Sequence, residues 1–450
     1  MRRCDECMEK YKTLLGPGGA LRPITLPPDS LPKFWYNPLP DLPEPLPRPM
    51  DPPEGPSRQE ALRRILIGEC LKQDLSEERW IPIPEGIREL YIHAGRPRPL
   101  YRAERLERCL GLEYVKIYYK REDLSPTGSH KVNTALAQAY YASKQGCQGL
   151  VTETGAGQWG TALAYACALL GLDCVIFWVR NVYRWKRERR WLMKLYGAKV
   201  HPSPSRLTRV GQEQLRRDPS SPGSLAMAVS EGLEYADEHE GYAYALGSVL
   251  NHVLIHQTII GLEAREQLRS LGEKPDLVVA CLGGGSNFGG ICLPFIRDVL
   301  RGEYECEFLA AQSEAAPNLI KGTYRYDFAD AAGYTPLLKM YTLGHDARLK
   351  PIWSDGIRYH AAAPIISLLR HRGLIDAVAY PADERAVFEA ARLFLRTEGW
   401  LVAGESAHAL RAAIDRALEF ERRRQRKVLL VNISGHGFLD LRAYQKALLA

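Results

Sequence analysis

The alternation of strand-like and helix-like runs constrains the fold of this chain more than any other feature. From about residue 114, helix-like runs separate short apolar or β-branched runs such as YVKIYYKR (114–121), CVIFWV (174–179), DLVVACL (276–282) and VLLVNIS (428–434). Strands that alternate with helices form parallel sheets. The pattern therefore predicts an α/β fold rather than a helical bundle or a β-sandwich. The 450 residues are enough for two domains.

A lysine stands at the junction between the first of these strands and a helix. Lys131 lies in GSHKVNT (128–134), and the helix-like run ALAQAYYASKQG follows it and ends at Gly146. The helix dipole repels a positive charge at the start of a helix. The position suits a lysine that is held neutral as an imine, which is how lysine binds pyridoxal phosphate. A solvated ammonium, the usual state of lysine, is the alternative at this point.

Two glycine-rich turns follow strand-like runs and precede helices. One is GGGSN (283–287), and the other is ETGAGQWG (153–160). Such turns direct several backbone N–H groups at an anion, which glycine allows to approach closely. Ordinary tight βα turns are the alternative. The G-x-G-x-x-G pattern is not matched cleanly and no P-loop sequence is present, so the turns favour a phosphate cofactor and a carboxylate-bearing substrate.

Five motifs occur in a fixed order along the chain. They are GSHKVNTA, ETGAGQWG, GGGSN, ESAHAL (405–410) and NISGHG, in which Ser434 ends the last strand-like run. Together they resemble the tryptophan synthase β chains, which are fold-type-II pyridoxal phosphate enzymes, over about residues 90–445. A divergent second class is the closer match. Trp159 replaces a histidine, ALGSVLNHVLIHQT (245–258) replaces a Gly-Pro-His-Pro-Tyr-Pro-like segment, and the N-terminal extension is long.

The resemblance implies two three-layer α/β domains with twisted, mostly parallel sheets and the cofactor between them. We expect a proline-rich extension at 1–57, an N-terminal domain at 58–250 with a mobile subdomain at about 146–235, and a C-terminal domain at 251–450. Residues 17–56 contain fourteen of the thirty prolines. This segment is predicted to be an extended arm anchored by Phe34, Trp35 and Tyr36.

The resemblance also implies roles for single residues. Lys131 would remove the Cα proton of L-serine, and Glu153 would steer indole and the leaving hydroxyl, so that L-tryptophan forms. The helix dipole alone also favours a carboxylate at position 153, which is the structural alternative. The expected cofactor contacts are Lys131, His130, Asn133, Gly283, Gly284, Gly285, Ser286, Asn287, Glu405 and Ser434. The expected substrate contacts are Thr154, Gly155, Ala156, Gly157, Gln158, Trp159 and Arg358.

Position 358 departs from the family pattern. The family's aspartate in a Gly-Leu-Asp-Tyr/Phe segment aligns with Arg358 in Gly-Ile-Arg-Tyr (356–359). The reversed charge would require other partners for closure of the mobile subdomain and makes O-phospho-L-serine conceivable as the donor. The altered 245–258 segment predicts a homodimer that binds the usual α subunit weakly or not at all. A monovalent cation, K+ or Na+, is a further expected cofactor.

Composition limits the other classes of function. No apolar run approaches the roughly 20 residues that span a membrane, and the first residues contain no signal-peptide core. Ten cysteines, several of them in apolar runs, indicate a reduced, cytoplasmic protein. Cys4 and Cys7 form a C-x-x-C without a second pair at zinc-finger spacing, so no metal site is expected. The basic run 180–194 is interpreted as a solvated amphipathic helix, with Trp185 and Trp191 on its buried stripe, rather than as a nucleic-acid site.

Three other functions stay open on the sequence alone. Other fold-type-II enzymes, such as a serine or threonine deaminase, threonine synthase or cysteine synthase, usually have their lysine in Ser-Phe-Lys or Ser-Val-Lys. A non-catalytic binding protein should have lost Lys131 or Glu153, and this chain has both. A nucleic-acid binder would leave GSHK unexplained. β-Replacement by a pyridoxal phosphate lyase therefore explains the most motifs.

Overall fold

The computed structural model of the protein describes residues 22–449. The Cys4 and Cys7 pair, for which no metal role is predicted, lies outside the described residues. The strands in this range are β1 Phe34–Tyr36, β2 Trp80–Pro82, β3 Leu100–Arg102, β4 Val115–Arg121, β5 Gly149–Thr154, β6 Asp173–Val179, β7 Lys199–Ser203, β8 Tyr242–Tyr244, β9 Leu277–Cys281, β10 Glu307–Ser313, β11 Thr323–Asp327, β12 Leu338–Thr342, β13 Asp376–Tyr380 and β14 Lys427–Ile433.

Helices connect most of these strands. The α-helices are Arg58–Ile65, Gly68–Asp74, Glu85–His93, Glu104–Leu110, Val132–Gln145, Gln158–Leu170, Arg180–Trp185, Arg187–Leu195, Arg209–Arg217, Leu225–Glu238, Asn251–Gln257, Ile259–Ser270, Ser286–Leu300, Asn318–Lys321, Pro364–His371, Arg385–Glu398, Gly404–Arg422 and Leu441–Tyr444. Short 3-10 turns are Pro28–Ser30, Leu39–Asp41, Glu122–Leu124, Asp355–Ile357 and Phe438–Asp440, and Gln445–Leu449 is a π-helical turn. Between residues 22 and 449, no helix is both long and apolar enough to span a bilayer.

Six strands form the larger sheet, in the order β13-β10-β9-β14-β4-β3. Neighbouring strands are parallel, except that β3 runs antiparallel to β4. The central strand β9 is buried along its whole length and packs against the helices Ser286–Leu300 and Gly404–Arg422. Parallel strands that are covered on both faces are apolar throughout, which explains the run DLVVACL.

Four parallel strands form the smaller sheet, in the order β7-β6-β5-β8. Alternate residues of β5 lie on opposite faces of the sheet and belong to different hydrophobic clusters. Leu150 packs with the helix Gln158–Leu170, and Val151 packs with the helix Leu225–Glu238. Both sheets agree with the predicted parallel α/β architecture.

The two halves of the chain exchange segments, because β3 and β4 lie in the larger sheet together with C-terminal strands. The predicted domain boundaries stay predictions.

From residue 22 onward, the proline-rich arm lies against the body of the protein. Its strand β1 pairs with β2, and Trp35 and Tyr36 are buried while Phe34 is 45% exposed. The Trp35 ring centroid lies 4.6 Å from that of His256, and the backbone N–H of Tyr36 donates to Thr258 Oγ1 at 3.0 Å. The arm therefore covers the helix Asn251–Gln257, which belongs to the altered segment 245–258.

The first helical segment of the body, near residues 58–74, is interrupted. The chain forms two helices there, Arg58–Ile65 and Gly68–Asp74. Leu66 has an extended backbone and forms a parallel bridge with Tyr244 of β8. This bridge to the smaller sheet interrupts the helix.

The interpretation of 180–194 as one helix was wrong, and so was the burial predicted for Trp191, whereas Trp185 is partly buried against the core. Two helices, Arg180–Trp185 and Arg187–Leu195, meet at Lys186, and Trp191 is 56% exposed. Lys186 and Arg189 are buried instead, and both donate to the carboxylate of Asp440 at 3.0 Å. Pairing with a buried acid turns these two cations inward.

Candidate active site

A cavity lies at the carboxyl ends of strands from both sheets: β5 from the smaller sheet, and β9 and β14 from the larger one. Ligands bind at this end of parallel α/β sheets. The structure brings fifteen of the expected site residues to it, namely His130, Lys131, Glu153, Thr154, Gly155, Ala156, Gln158, Trp159, Gly283, Gly284, Gly285, Ser286, Asn287, Glu405 and Ser434.

Lys131 immediately precedes the helix Val132–Gln145 and projects into the cavity. Its Nζ donates to the carbonyl of Gly247 at 3.0 Å. Burial lowers the pKa of Lys131 to about 8, although the nearby carboxylates of Glu153 and Glu405 oppose the change. A substantial fraction of this amine is therefore neutral near pH 7.5 to 8, which is the form that acts as a base or a nucleophile.

The loop that carries Lys131 is clamped to the end of β14. The backbone N–H of His130 donates to the carbonyl of Ser434 at 2.9 Å, and that of His436 donates to Gly128 at 2.8 Å. The Ser125 hydroxyl both donates to the carbonyl of Ser129 and accepts from its N–H, each at 2.7 Å. These contacts fix the position of Lys131 relative to the end of β14.

The turn 283–287 forms an anion cradle. Gly285 has φ +120°, which L side chains rarely adopt, and the helix Ser286–Leu300 starts directly after it. A Cβ on Gly284 would lie 2.3 Å from Ser248 Oγ, so a larger residue at that position would displace the Ser248 side chain. His130 Nε2 lies 3.2 Å from Ser286 Oγ, and burial together with the Lys131 charge lowers the pKa of His130 to about 3. A neutral imidazole therefore borders the cradle.

Asn287 contributes mainly to the shape of the cradle. Its Nδ2 donates to the carbonyl of Cys281 at 3.0 Å, and its Oδ1 accepts from Asn432 Nδ2 at 2.7 Å. Both ends of the amide are thus bound within the protein.

Ser434 and Glu405 lie on the other side of the cavity. Ser434 Oγ is 2.9 Å from Ser406 Oγ. Glu405 Oε1 accepts from the N–H of Gly356 at 2.8 Å, and its Oε2 accepts from Gln158 Nε2 at 3.2 Å. Ser434 therefore presents a neutral hydroxyl directly after β14. The two hydrogen bonds to Glu405 hold its carboxylate in one orientation.

Glu153 is the penultimate residue of β5 and is buried. Burial raises its pKa to about 7, although a hydrogen bond from the Tyr244 hydroxyl partly opposes the rise. A carboxyl group with a pKa near neutrality can both give and take a proton. Trp159 Nε1 donates to Thr152 Oγ1 at 2.6 Å, which holds the indole of Trp159 against Gly247, the partner of Lys131.

Three expected contacts do not line the cavity. The amide of Asn133 is bound to Glu122, Gln257 and Arg96 at 2.9 to 3.1 Å. Arg358 Nε donates to Asp355 at 2.5 Å, and Gly157 packs under Trp178. The roles predicted for these three residues thus have no support from their positions.

Several residues that were not predicted also line the cavity, including Asp355, Cys281 and the loop 246–249. Asp355 lies three positions before Arg358 in the same turn, so its proximity in sequence to a predicted contact was the available signal. Tyr244, which binds Glu153, ends the three-residue strand β8 and has no motif of its own. No local signal identifies it.

Comparison with known proteins agrees with this geometry. Residues 92–435 match the family model of pyridoxal-phosphate dependent enzymes. The chain is 53% identical over 421 residues to tryptophan synthase beta chain 2 of Thermococcus kodakarensis, which covers 93% of this chain and 94% of the relative. It is 50% identical to the protein of the same name from Methanothermobacter thermautotrophicus, over 94% of this chain and 97% of the relative.

The chain belongs to the tryptophan synthase β chain family. A fungal L-serine ammonia-lyase from Rhizomucor miehei superposes with a TM-score of 0.57 at 16% identity, over 78% of this chain and 97% of the other. At that identity the likeness concerns the fold alone. The predicted family, the fold-type-II α/β architecture and pyridoxal phosphate as cofactor are confirmed. The monovalent cation stays a prediction.

The cavity of this tryptophan synthase β family member fits pyridoxal phosphate. Ser248 Oγ is buried next to Gly284 and has no hydrogen-bond partner among residues 22–449, so it is available to a phosphate oxygen. The glycines leave space above the helix start, where backbone N–H groups and the dipole attract an anion. Lys131 supplies the amine that the aldehyde requires.

Proposed function

We propose that this chain makes L-tryptophan and water from L-serine and indole, as a pyridoxal phosphate-dependent lyase. One observation carries the proposal: Lys131, Glu153, the cradle 283–287 and Ser434 line a single cavity. A lysine and an anion cradle alone would serve any enzyme of this fold. A buried carboxyl group with a pKa near 7 next to them suits a reaction that must move protons to and from an uncharged acceptor.

The proposed cofactor contacts follow from these positions. Lys131 would hold the cofactor covalently, the cradle with His130 and Ser248 would bind its phosphate, and Ser434 would meet its pyridine nitrogen. Pyridoxal phosphate, when bound, supplies a ring that accepts the electron pair left on Cα when the substrate loses its proton. The hydroxyl of Ser434 leaves the pyridine nitrogen less protonated than an aspartate would, which favours elimination over transamination.

Lys131 and Glu153 would move the protons. The neutral amine of Lys131 takes the proton from Cα of serine and returns it to Cα after the new C–C bond has formed. Protonated Glu153 gives its proton to the β-hydroxyl, which leaves as water, and the resulting carboxylate accepts a proton from indole as its C3 forms the new bond. The backbone N–H groups of 154–156 and 158–159, which line the cavity, would bind the serine carboxylate. Tyr244 keeps Glu153 in place through its hydrogen bond.

We also propose that the protein is a cytoplasmic homodimer that works without the usual α subunit. The arm at Trp35 and Tyr36 covers the altered helix Asn251–Gln257 and occupies surface there. The eight cysteines within the described range are free thiols, which supports a reducing compartment. Sedimentation with and without the usual tryptophan synthase α subunit, together with the rate of tryptophan formation, tests this. Tight co-sedimentation with a rate gain of roughly tenfold or more would contradict it.

The central experiment incubates the pure holoenzyme with L-serine and indole and follows visible absorbance and tryptophan formation. We expect a yellow protein that forms tryptophan, and Glu153→Gln should slow the rate by about two to four orders of magnitude while serine still changes the spectrum. Glu89→Gln, an exposed helical position, is the matched control. Release of pyruvate without tryptophan would indicate a deaminase instead.

A further inference from the structure

A second cavity lies at the carboxyl edge of the smaller sheet and shares no lining residue with the cavity around Lys131. Arg180 directly follows β6, and Arg206 lies three positions after the end of β7. Ligands bind at this edge of parallel sheets. We call this space the basic cavity, because Arg180, Arg206 and His201 are the residues of its wall that can carry a positive charge. Its volume of about 460 Å³ leaves room for a small organic molecule.

A contact of the Arg180 side chain fixes its guanidinium beside the loop that follows β7. Nη2 donates to the carbonyl of Pro204, and the next two residues, Ser205 and Arg206, line the basic cavity. The guanidinium therefore lies at the wall of this cavity. Its Nε is buried and has no hydrogen-bond partner in the part of the chain that the structure describes, so one donor of the group is unused.

The arginines at this place repel one another. Partial burial lowers the pKa of Arg180, and the charges of Arg184 and Arg206 lower it further, because the three guanidinium groups are close together. Between residues 22 and 449, none of the three forms an ion pair with a carboxylate. Like charges at short range raise the energy of the folded protein, and an anion between them lowers it.

Glu231 is the acid whose charge acts on Arg180, and it does not neutralise the basic cavity. Its carboxylate is buried, and its Oε1 accepts from the N–H and the hydroxyl of Ser205 and from Thr208 Oγ1 at 2.6 to 2.8 Å. Neutral donors of the loop after β7 thus hold this acid beneath the cavity, and the arginines keep their excess charge.

The rest of the wall combines further basic character with apolar surface. Burial lowers the pKa of His201, and the charges of Lys194 and Lys199 lower it further, so the imidazole is neutral and can donate a hydrogen bond. Leu207, which is 49% exposed, and Leu215 add apolar surface. An exposed leucine beside unpaired arginines suits a ligand that has an anionic group and an apolar body.

We propose that the basic cavity binds a small organic phosphate monoester, whose phosphate lies between the guanidinium groups of Arg180 and Arg206 and whose apolar body lies against Leu207 and Leu215. A phosphate dianion balances the two arginines of the wall, whereas a single carboxylate leaves one positive charge over. The planar guanidinium also matches a phosphate through paired N–H donors. The site is separate from the proposed reaction at Lys131.

Isothermal titration of the holoenzyme with phenyl phosphate tests this, with benzoate as the singly charged aromatic comparison. Borohydride first fixes the cofactor on the enzyme, so that the cradle 283–287 stays occupied. The variants are Arg206→Gln, Arg206→Glu and Arg180→Lys. Arg206 is exposed and its side chain has no hydrogen-bond partner among the described residues, so its variants should fold. Arg396→Gln is the matched control, because Arg396 is an exposed arginine on the helix Arg385–Glu398.

We expect one phenyl phosphate per chain, bound at least about tenfold more tightly than benzoate, since a hydrogen bond to a charged group is worth roughly that factor or more. Arg206→Gln should weaken binding about tenfold, and Arg206→Glu should abolish it. Arg180→Lys keeps the charge but loses the paired donors, so its loss should be smaller than that of Arg206→Glu, and Arg396→Gln should bind as wild type does.

Three results would overturn the assignment: no binding of phenyl phosphate by wild type, equal affinities for phenyl phosphate and benzoate, or wild-type affinity in both Arg206 variants. Displacement of phenyl phosphate by indole would place it in the cavity around Lys131 and would equally refute a separate site. Because the titration requires no turnover, it decides the basic cavity even if the protein forms no tryptophan.

Discussion

Replacing Glu153 by glutamine should remove a defined part of the pH dependence of stability of the apoprotein. The carboxyl group is buried, and burial raises its pKa from an ordinary 4.5 to about 7. The folded state therefore holds this proton over a pH range in which the unfolded chain has already lost it. Glutamine is neutral throughout, has the same shape, and can still accept the hydrogen bond from Tyr244.

The sign and size of the effect follow from linkage. The contribution of Glu153 to stability is fully present below pH 4.5 and is lost as the pH rises to about 7. Each pH unit is worth ~1.4 kcal/mol, so the loss over this window is ~3 kcal/mol. With an unfolding entropy of about 2 cal/mol/K per residue, a chain of this length should lose roughly 3 °C in its unfolding midpoint.

Thermal unfolding of the apoproteins from pH 4.5 to 7.5 measures this. We expect the midpoint of Glu153→Gln minus that of wild type to grow by roughly 3 °C across the window and then to level off. Lys131 has a lowered pKa and acts in the opposite sense, above about pH 8, so it does not enter this range. The exposed Glu89→Gln should give a flat difference. A flat difference for Glu153→Gln as well would show that its carboxyl group does not hold a proton at neutral pH.

The remaining predictions concern the cofactor and a buried ion cluster. Lys131→Ala should lose the visible band that borohydride reduces, and a reducible band on another lysine would refute the assignment. Gly284→Ala should weaken pyridoxal phosphate binding about tenfold or more, because its methyl group would displace the Ser248 side chain. Fluorescence titration measures this affinity, and an unchanged value would mean that the phosphate does not bind at the turn 283–287. Asp440→Asn leaves Lys186 and Arg189 buried without a counter-charge and should cost ~3 to 5 kcal/mol, seen as a lower unfolding midpoint than that of the exposed control Asp376→Asn.

Local patterns were sufficient to predict the parts of the site that depend on the backbone. Lys131, the cradle 283–287 and Ser434 all stand where an apolar strand ends or a helix begins, and parallel sheets bring such junctions together at one edge. Strands β4, β9 and β14 of the larger sheet were predicted from the runs 114–121, 276–282 and 428–434, and β9 is apolar throughout because it is covered on both faces. Strands β3 and β13 of the same sheet were not predicted.

Side-chain contacts across large sequence separations could not be predicted. Tyr244 reaches Glu153 from a three-residue strand, and Asp440 pairs with Lys186 and Arg189 across about 250 residues. The basic run 180–194 shows that the periodicity of a segment does not by itself determine which of its side chains are buried. Its periodicity placed tryptophans inside and cations outside, but a buried acid from the end of the chain reverses that choice for Lys186 and Arg189.

The turn at 355–358 shows why a single aligned position is a weak guide to local charge. An arginine in place of the family's aspartate suggests a positive cavity wall and a phosphorylated donor. In the structure Arg358 does not line the cavity, because its guanidinium is paired with the carboxylate of Asp355. Asp355 lies three residues before Arg358, about one turn of a 3-10 helix, so the charge of the arginine is balanced within the turn itself. Because Asp355 is buried, removing Arg358 would leave its charge uncompensated, so the two positions must be interpreted together.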